Sequence, residues 1–152
     1  VYLKIWERVE VKTGYTYLDV YREVVEENEL LPFNPKHKIL TTFSFAPLSN
    51  RYHFDVNMHW YGEQRLPDTK SNPAEFQRPD FSEPYTVVSA QLTYTFGAFE
   101  VYGGCENIFD FRQLQPIISW QDLFSPYFDT SSVWGPTRGR EIYLGVRYRL
   151  GA

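Results

Sequence analysis

Three segments of this chain alternate apolar and polar residues with a period of two, which is the signature of strands lying between two different environments. From Arg51 to Tyr61 the even positions are Tyr52, Phe54, Val56, Met58 and Trp60, and the odd ones are Arg51, His53, Asp55, Asn57, His59 and Tyr61. From Val88 to Phe96 the even positions are Val88, Ala90, Leu92, Tyr94 and Phe96, separated by Ser89, Gln91, Thr93 and Thr95. From Glu141 to Leu150 the even face is Ile142, Leu144, Val146, Tyr148 and Leu150, and Arg147 and Arg149 lie on the other. Weaker alternation marks strands near 8–25, 37–46 and 99–107, and Val1–Ile5 reads as the tail of an earlier strand. The sequence therefore predicts an all-β, antiparallel up-and-down meander of about six strands and a stub, with no helix.

The connections fall into two kinds. Pro47–Asn50 and Gly97–Ala98 read as tight turns, with Lys4–Glu7 as a third. Glu27–Pro35, Gly62–Pro84 and Ile108–Gly139 are long and rich in Pro, Asp, Ser and Asn. Long and short connections alternate strictly, so all the long ones are expected at one end of the sheet. Outer-membrane barrels have this asymmetry, with short periplasmic turns and long external loops. On that reading the strand near 8–25 runs outward, 37–46 inward, and the last strand ends in the periplasm.

Composition suits a β-protein with large apolar faces or an aromatic binding surface. Aromatic residues make up 18% of the chain while charged residues hold at 22%. Phe45, Tyr52, Phe96, Phe99 and Tyr148 lie on the apolar face beside the tight turns or the chain end. Trp60, with Tyr61 and Tyr85 close by, marks the opposite end, so rings flank both rims as interfacial girdles do. A strand of about 10 residues, tilted by roughly 45°, covers about 23–25 Å, close to the apolar band of such barrels. A soluble, aromatic-rich β-sandwich that binds carbohydrate would also alternate. The Gln, Thr, Arg, Glu and Asn of the polar faces and the very unequal loops favour the barrel.

Other classes are disfavoured. No run of about 20 apolar residues is present, so no transmembrane helix is expected. The net charge of −4 comes without a basic stripe, so nucleic acid is not an expected partner. A lone Cys105 forms no intrachain disulfide. The chain opens on Val1 with no signal peptide in view, as expected after processing or of a piece of a longer protein.

Three motifs sharpen the reading. Ala98–Asp110, AFEVYGGCENIFD, resembles the next-to-last strand of TonB-dependent outer-membrane receptors, which leaves the membrane through an element like Glu106-Asn107-Ile108-Phe109-Asp110. Ser125–Leu150 is similar to the last external loop and closing strand of that family. Leu31–His37, LPFNPKH, looks like its lead-in to an inward strand, through Pro32, Phe33, Pro35 and His37. The three occur in the family's order and the resemblance spans nearly the whole chain. It implies that residues 1–152 are the C-terminal segment of a 22-stranded transmembrane barrel. It further implies a plug domain and a TonB-engaging box elsewhere in the protein, contact with outer-membrane lipid, and uptake of a scarce siderophore, cobalamin or glycan ligand. One departure is the tail: barrels of this family commonly end on an aromatic residue, whereas here Leu150 is followed by Gly151–Ala152.

Sites are less legible than architecture. Trp120, Phe124, Tyr127, Phe128 and Trp134 in the last loop are the candidate ligand contacts, through ring stacking; the competing expectation is that they pack the loop onto itself. His53 and His59 share a strand face but stand roughly 20 Å apart, too far to share a metal, and His37 sits on another strand. Cys105 faces the apolar side as a small hydrophobe. The acidic run Asp19, Glu23, Glu26, Glu27 and Glu29 reads as solvated loop, with a bridging cation as the alternative. Glu100, Glu106, Arg147 and Arg149 have lumen parity and are expected to pair across strands or hold the plug. Gly103–Gly104 precedes no helix and reads as a bend, not a phosphate loop. No Ser–His–Asp order, carboxylate pair or nucleotide motif is found, so neither an enzymatic activity nor a cofactor is expected.

Overall fold

The computed structural model describes residues 1–6, 8–24, 27–49 and 51–150. Among these residues nine strands form: β1 (Tyr2–Trp6), β2 (Val9–Tyr17), β3 (Tyr21–Val24), β4 (Glu27–Leu30), β5 (His37–Phe45), β6 (Tyr52–Tyr61), β7 (Tyr85–Phe96), β8 (Phe99–Glu106) and β9 (Glu141–Tyr148). Seven of them make one antiparallel sheet in the order β1-β2-β5-β6-β7-β8-β9, and β3 and β4 pair separately as a two-stranded ribbon. Each member of the large sheet pairs with its neighbour in the meander, so closely spaced connections suffice and no crossover arises.

The details differ from the sequence reading in three places. The stub is a full strand, β1, and the turn after it comes later than Lys4–Glu7, since Lys4 and Trp6 still pair with β2 across a bulge; Glu7 itself lies outside the described residues, as do Asn50 and Gly151–Ala152. The strand expected near 8–25 breaks after Tyr17: its upper part leaves the sheet and folds back on β4, within the stretch read as loop. A period-two pattern cannot show this, because a ribbon projecting into water and a wall strand alternate alike.

Register places every apolar set on one side. Leu3, Val11, Phe43, Val56, Ala90, Cys105 and Ile142 stand directly across from one another in a single row over all seven strands. On the opposite face Lys4, Glu10, Ser44, Asp55, Gln91, Gly104 and Tyr143 form a matching polar row. Since a one-residue slip would exchange the faces of a strand, seven strands in phase mean that the sheet has one apolar and one polar side.

The apolar side is bare. Ile142 is 81% exposed, Leu144 79% and Val146 64%. Among the described residues the buried hydrophobics are Leu66 and Ile118, both in loops. A β-sandwich packs two apolar faces into a core about 10 Å thick, and among the described residues no second sheet covers this one, so the sandwich reading does not hold. The aromatic girdle at the turn end is continuous: Tyr52–Tyr94, Tyr94–Phe96, Phe96–Phe99 and Phe99–Tyr148 ring centroids lie 4.8, 5.9, 5.5 and 4.7 Å apart. Gly97, with φ +59°, occupies the first position of the two-residue turn between Phe96 and Phe99, where a positive φ matches the strand twist. At the loop end Trp60 has outward parity and is joined on that face by Tyr15, Tyr17 and His37, whose ring lies 5.3 Å from Tyr17. Tyr61 and Tyr85, close to this rim, lie on the polar face, as the parity of Tyr61 predicts, directly across from each other.

Candidate functional site

The three long connections gather at one end of the sheet and contact one another. The link between the first two is Phe33, in the left-handed region at φ +62°, whose N–H donates to Arg65 O at 3.0 Å. Arg65 also reaches Asp80 at 3.2 Å and Glu29 at 3.7 Å. Asp80 receives Lys70 as well, and those two cations hold its carboxyl below the usual carboxylate range, Lys70 first and Arg65 second.

The second and third loops are tied by buried amides. Gln113 is buried; its Oε1 accepts from the N–H groups of Trp134 (2.8 Å) and Gly135 (3.1 Å), and its Nε2 donates to Ser132 O at 2.8 Å. Gln64, also buried, donates to Trp134 O at 2.8 Å. Arg78 donates to Gln115 O, and the Phe76 and Tyr127 rings stack at 5.2 Å. Below this knot Tyr61, Tyr85 and Phe111 form a stack, with centroids 4.9 and 5.0 Å apart, and Trp134 closes on Tyr85 at 5.7 Å. Polar-face parity puts Tyr61 and Tyr85 at the mouth of the polar side, under the loops. A cleft of about 250 Å³ beside the stack is lined by Leu66, Arg78, Phe111, Arg112, Gln113 and Trp134 among others.

The Glu106–Asp110 element is the hinge that starts the last loop. Asn107 adopts φ +50° and Asp110 φ +55°, conformations that Asn and Asp tolerate better than most residues. Asn107 is buried and bonds Phe111 through both ends of its amide, accepting from its N–H at 3.1 Å and donating to its O at 2.7 Å. Asp110 accepts from the Arg140 backbone N–H at 2.7 Å and from Arg112 at 2.9 Å, so the end of the loop is pinned to its start. These two donors, the backbone N–H first, lower the Asp110 pKa.

The five candidate ligand contacts of the last loop divide. Trp134 belongs to the stack under the loops and Tyr127 lies against Phe76. Trp120, at 61% exposure, and Phe124, at 96%, project from a series of turns running from Ser119 to Phe128, closed at its neck by the Ile118–Asp129 pair. Phe128 is half-buried in that series. The structure thus separates two rings open to a ligand from two engaged in packing.

On the polar face Glu100 is 6% exposed and meets both Arg147, at 3.0 Å, and Arg149. Glu106 instead lies directly across from Glu141, a like charge. Further along the wall Ser44 donates to Asp55 (2.6 Å), His53 Nε2 stands 3.0 Å from the same carboxylate, Thr42 donates to Asn57 (2.9 Å), and the Tyr143 hydroxyl donates to Gln91 (2.9 Å). In the acidic run, Asp19 pairs with Lys36 at 3.3 Å and Glu29 with Arg22 at 2.7 Å; Glu26 lies outside the described residues. Among the described residues no three His, Cys, Asp or Glu side chains converge as metal ligands.

Sequence reasoning missed Gln64, Gln113 and Phe111. Glutamine is ordinarily a surface residue, and nothing local distinguishes one such as Gln64, whose amide bonds a residue 70 positions further on.

No protein-family model and no curated protein matches this sequence. Solved structures do resemble it. A ferric enterobactin receptor, PfeA from Pseudomonas aeruginosa, in a point-mutant form, superposes with TM-score 0.71 at 16% identity over 95% of this chain. The closed form of a ferric-catecholate import receptor, Fiu from E. coli, does so with TM-score 0.64 at 18% identity over 93%. The chain spans 20% and 19% of their respective lengths. At these identities the likeness establishes the fold alone: an all-β antiparallel sheet that superposes on a stretch of those β-barrel receptors.

Proposed function

We propose that this chain supplies part of the wall and external loops of an outer-membrane receptor that imports a scarce small ligand by the TonB-dependent route. The observation that carries the proposal is the register. Seven strands present one unbroken apolar face, bare and rimmed by aromatic rings, and one hydrogen-bonded polar face. Lipid on one side and a wet or plugged lumen on the other is the environment in which both faces are stable.

On this reading β1 and β9, each paired on one side only among the described residues, continue into further strands of a 22-stranded barrel. The Glu100 cluster and the Ser44–Asp55–His53 group face a plug domain, TonB acts through that plug, and the outer row faces membrane lipid. The ligand is of the siderophore, cobalamin or glycan type, and Trp120 and Phe124, with Tyr127, Phe128 and Trp134 shaping the loop, contact it from outside. Ligand capture by these loops followed by rearrangement of the plug is the transport step; no bond is made or broken by the wall.

The test is a pair of measurements on the whole protein in its own cells. Fractionation should place it in the outer membrane, and Trp120→Ala with Phe124→Ala should raise the ligand concentration needed for half-maximal uptake while the protein level stays constant. Recovery in the soluble fraction would end the proposal; normal uptake by the double variant would remove the loop contacts from it.

A further inference from the structure

A second cleft, of about 350 Å³, shares no lining residue with the one beside the tyrosine stack. Its floor is Trp60 and His37, the topmost residues of outward parity on β6 and β5. Leu30 of the β3–β4 ribbon and Phe81 of the second loop are among its walls, and Asn34, Lys36, Glu63 and Arg65 give it a polar rim. Gly62 lets the Trp60 ring lie alongside it: a Cβ there would stand 3.4 Å from the far edge of the indole and 3.2 Å from His37 O. The guanidinium of Arg65 is held over the Phe81 ring, 5.6 Å from its centroid.

We propose that this cleft holds the end of an acyl chain from a membrane lipid, drawn up from the lipid annulus around the wall. The inference rests on the membrane reading above. Continuity identifies the occupant: the two lining residues that belong to the large sheet, His37 and Trp60, both have outward parity and adjoin Tyr15 and Tyr17 at the aromatic rim, and no lining residue lies on the polar face of the sheet. Its lining is mostly apolar, and its volume is far above the roughly 10–15 Å³ that a single water molecule needs, so several methylene groups fit. The rim charges are balanced rather than cationic. Lys36 is paired with Asp19, and Arg65 with Asp80 and Glu29. The site therefore selects the chain and not the sign of the head group. The β3–β4 ribbon, which contributes Leu30, would be stapled to the second loop through the lipid.

The experiment uses the whole protein, extracted from membranes and equilibrated with phosphatidylglycerol or phosphatidylethanolamine carrying a photoactivatable diazirine near the acyl terminus. After a detergent wash and irradiation, cross-linked peptides are mapped by mass spectrometry. Wash-resistant labelling at Leu30, Trp60 or Phe81, equal for the two head groups, is the expected result. Leu30→Trp and Phe81→Trp, which fill the cleft, should each lower it at least about tenfold. Labelling confined to the open strand faces, at Ile142, Leu144 and Val146, would overturn the inference and leave the membrane reading intact. Labelling restricted to phosphatidylglycerol would overturn it in favour of head-group recognition. A protein that stays monomeric without detergent and takes no label anywhere would remove both.

Discussion

At the scale of single residues, the polar side chains that matter are those that replace water for a buried backbone. Gln113 satisfies two N–H groups and one carbonyl of the last loop. Gln113→Ala should leave these unpaired, at about 1–3 kcal/mol for each that water cannot reach. Limited proteolysis should then cut between 114 and 135 while the strands stay resistant. Asp110 gives a pH dependence. Its pKa is lowered in the folded chain by the Arg140 N–H and Arg112, so the stabilisation it provides is complete above the ordinary value of 3.8 and is lost as pH falls through the lower folded value. Amide exchange at Arg140, corrected for its intrinsic pH dependence, should show unchanged protection from pH 7 to about 4 and a decline below that; Asp110→Asn should remove the decline.

At the scale of the element, β8 and β9 meet through reciprocal tyrosine–glycine pairs. Gly104 stands across from Tyr143 and Gly145 across from Tyr102, each ring lying over the bare backbone of the partner strand. A Cβ at Gly104 would sit 2.7 Å from Ala90 O, a backbone atom that cannot step aside without disturbing β7. Gly104→Ala should therefore cost about 1–3 kcal/mol, read from the urea midpoint of the refolded protein. The outward row makes a different demand. Leu144, near the middle of β9 and 79% exposed, packs little against the protein, so in water Leu144→Arg would be almost neutral. In a bilayer the same substitution should cost about 2–4 kcal/mol. Comparing the unfolding free energy of the variant in lipid vesicles with that of Leu144→Ala separates the two solvents.

At the scale of the whole molecule, the sheet inverts the usual arrangement of a domain, with its burial in the loops and its aliphatic strand residues outside. Transferred to water alone, residues 1–152 should associate at micromolar concentration, because the apolar face and the unpaired sides of β1 and β9 invite contact. Light scattering should fall, and the β-type circular dichroism spectrum persist, when detergent is added. A clear monomer without detergent would contradict the wall reading.

The sequence alone determined the strand faces, the side on which the long loops gather and the class of fold. These are local or periodic properties: alternation at Arg51–Tyr61, Val88–Phe96 and Glu141–Leu150 needs no knowledge of what lies across the sheet, and a turn such as Gly97–Ala98 announces itself by its own residues. Tertiary structure decided what periodicity leaves degenerate. The sheet could have been half a sandwich until its apolar side was found uncovered. The strand near 8–25 could have run straight until its upper part turned away to pair with β4. That Tyr61 and Tyr85 stack across strands and carry Phe111 and Trp134 was not visible locally, and the loop aromatics divided into packed and open rings only once Phe76, Phe111 and Gln113 were in place. Each of these outcomes depends on contacts between residues far apart in the chain, whose free energy is set by what surrounds them and not by the residues on either side.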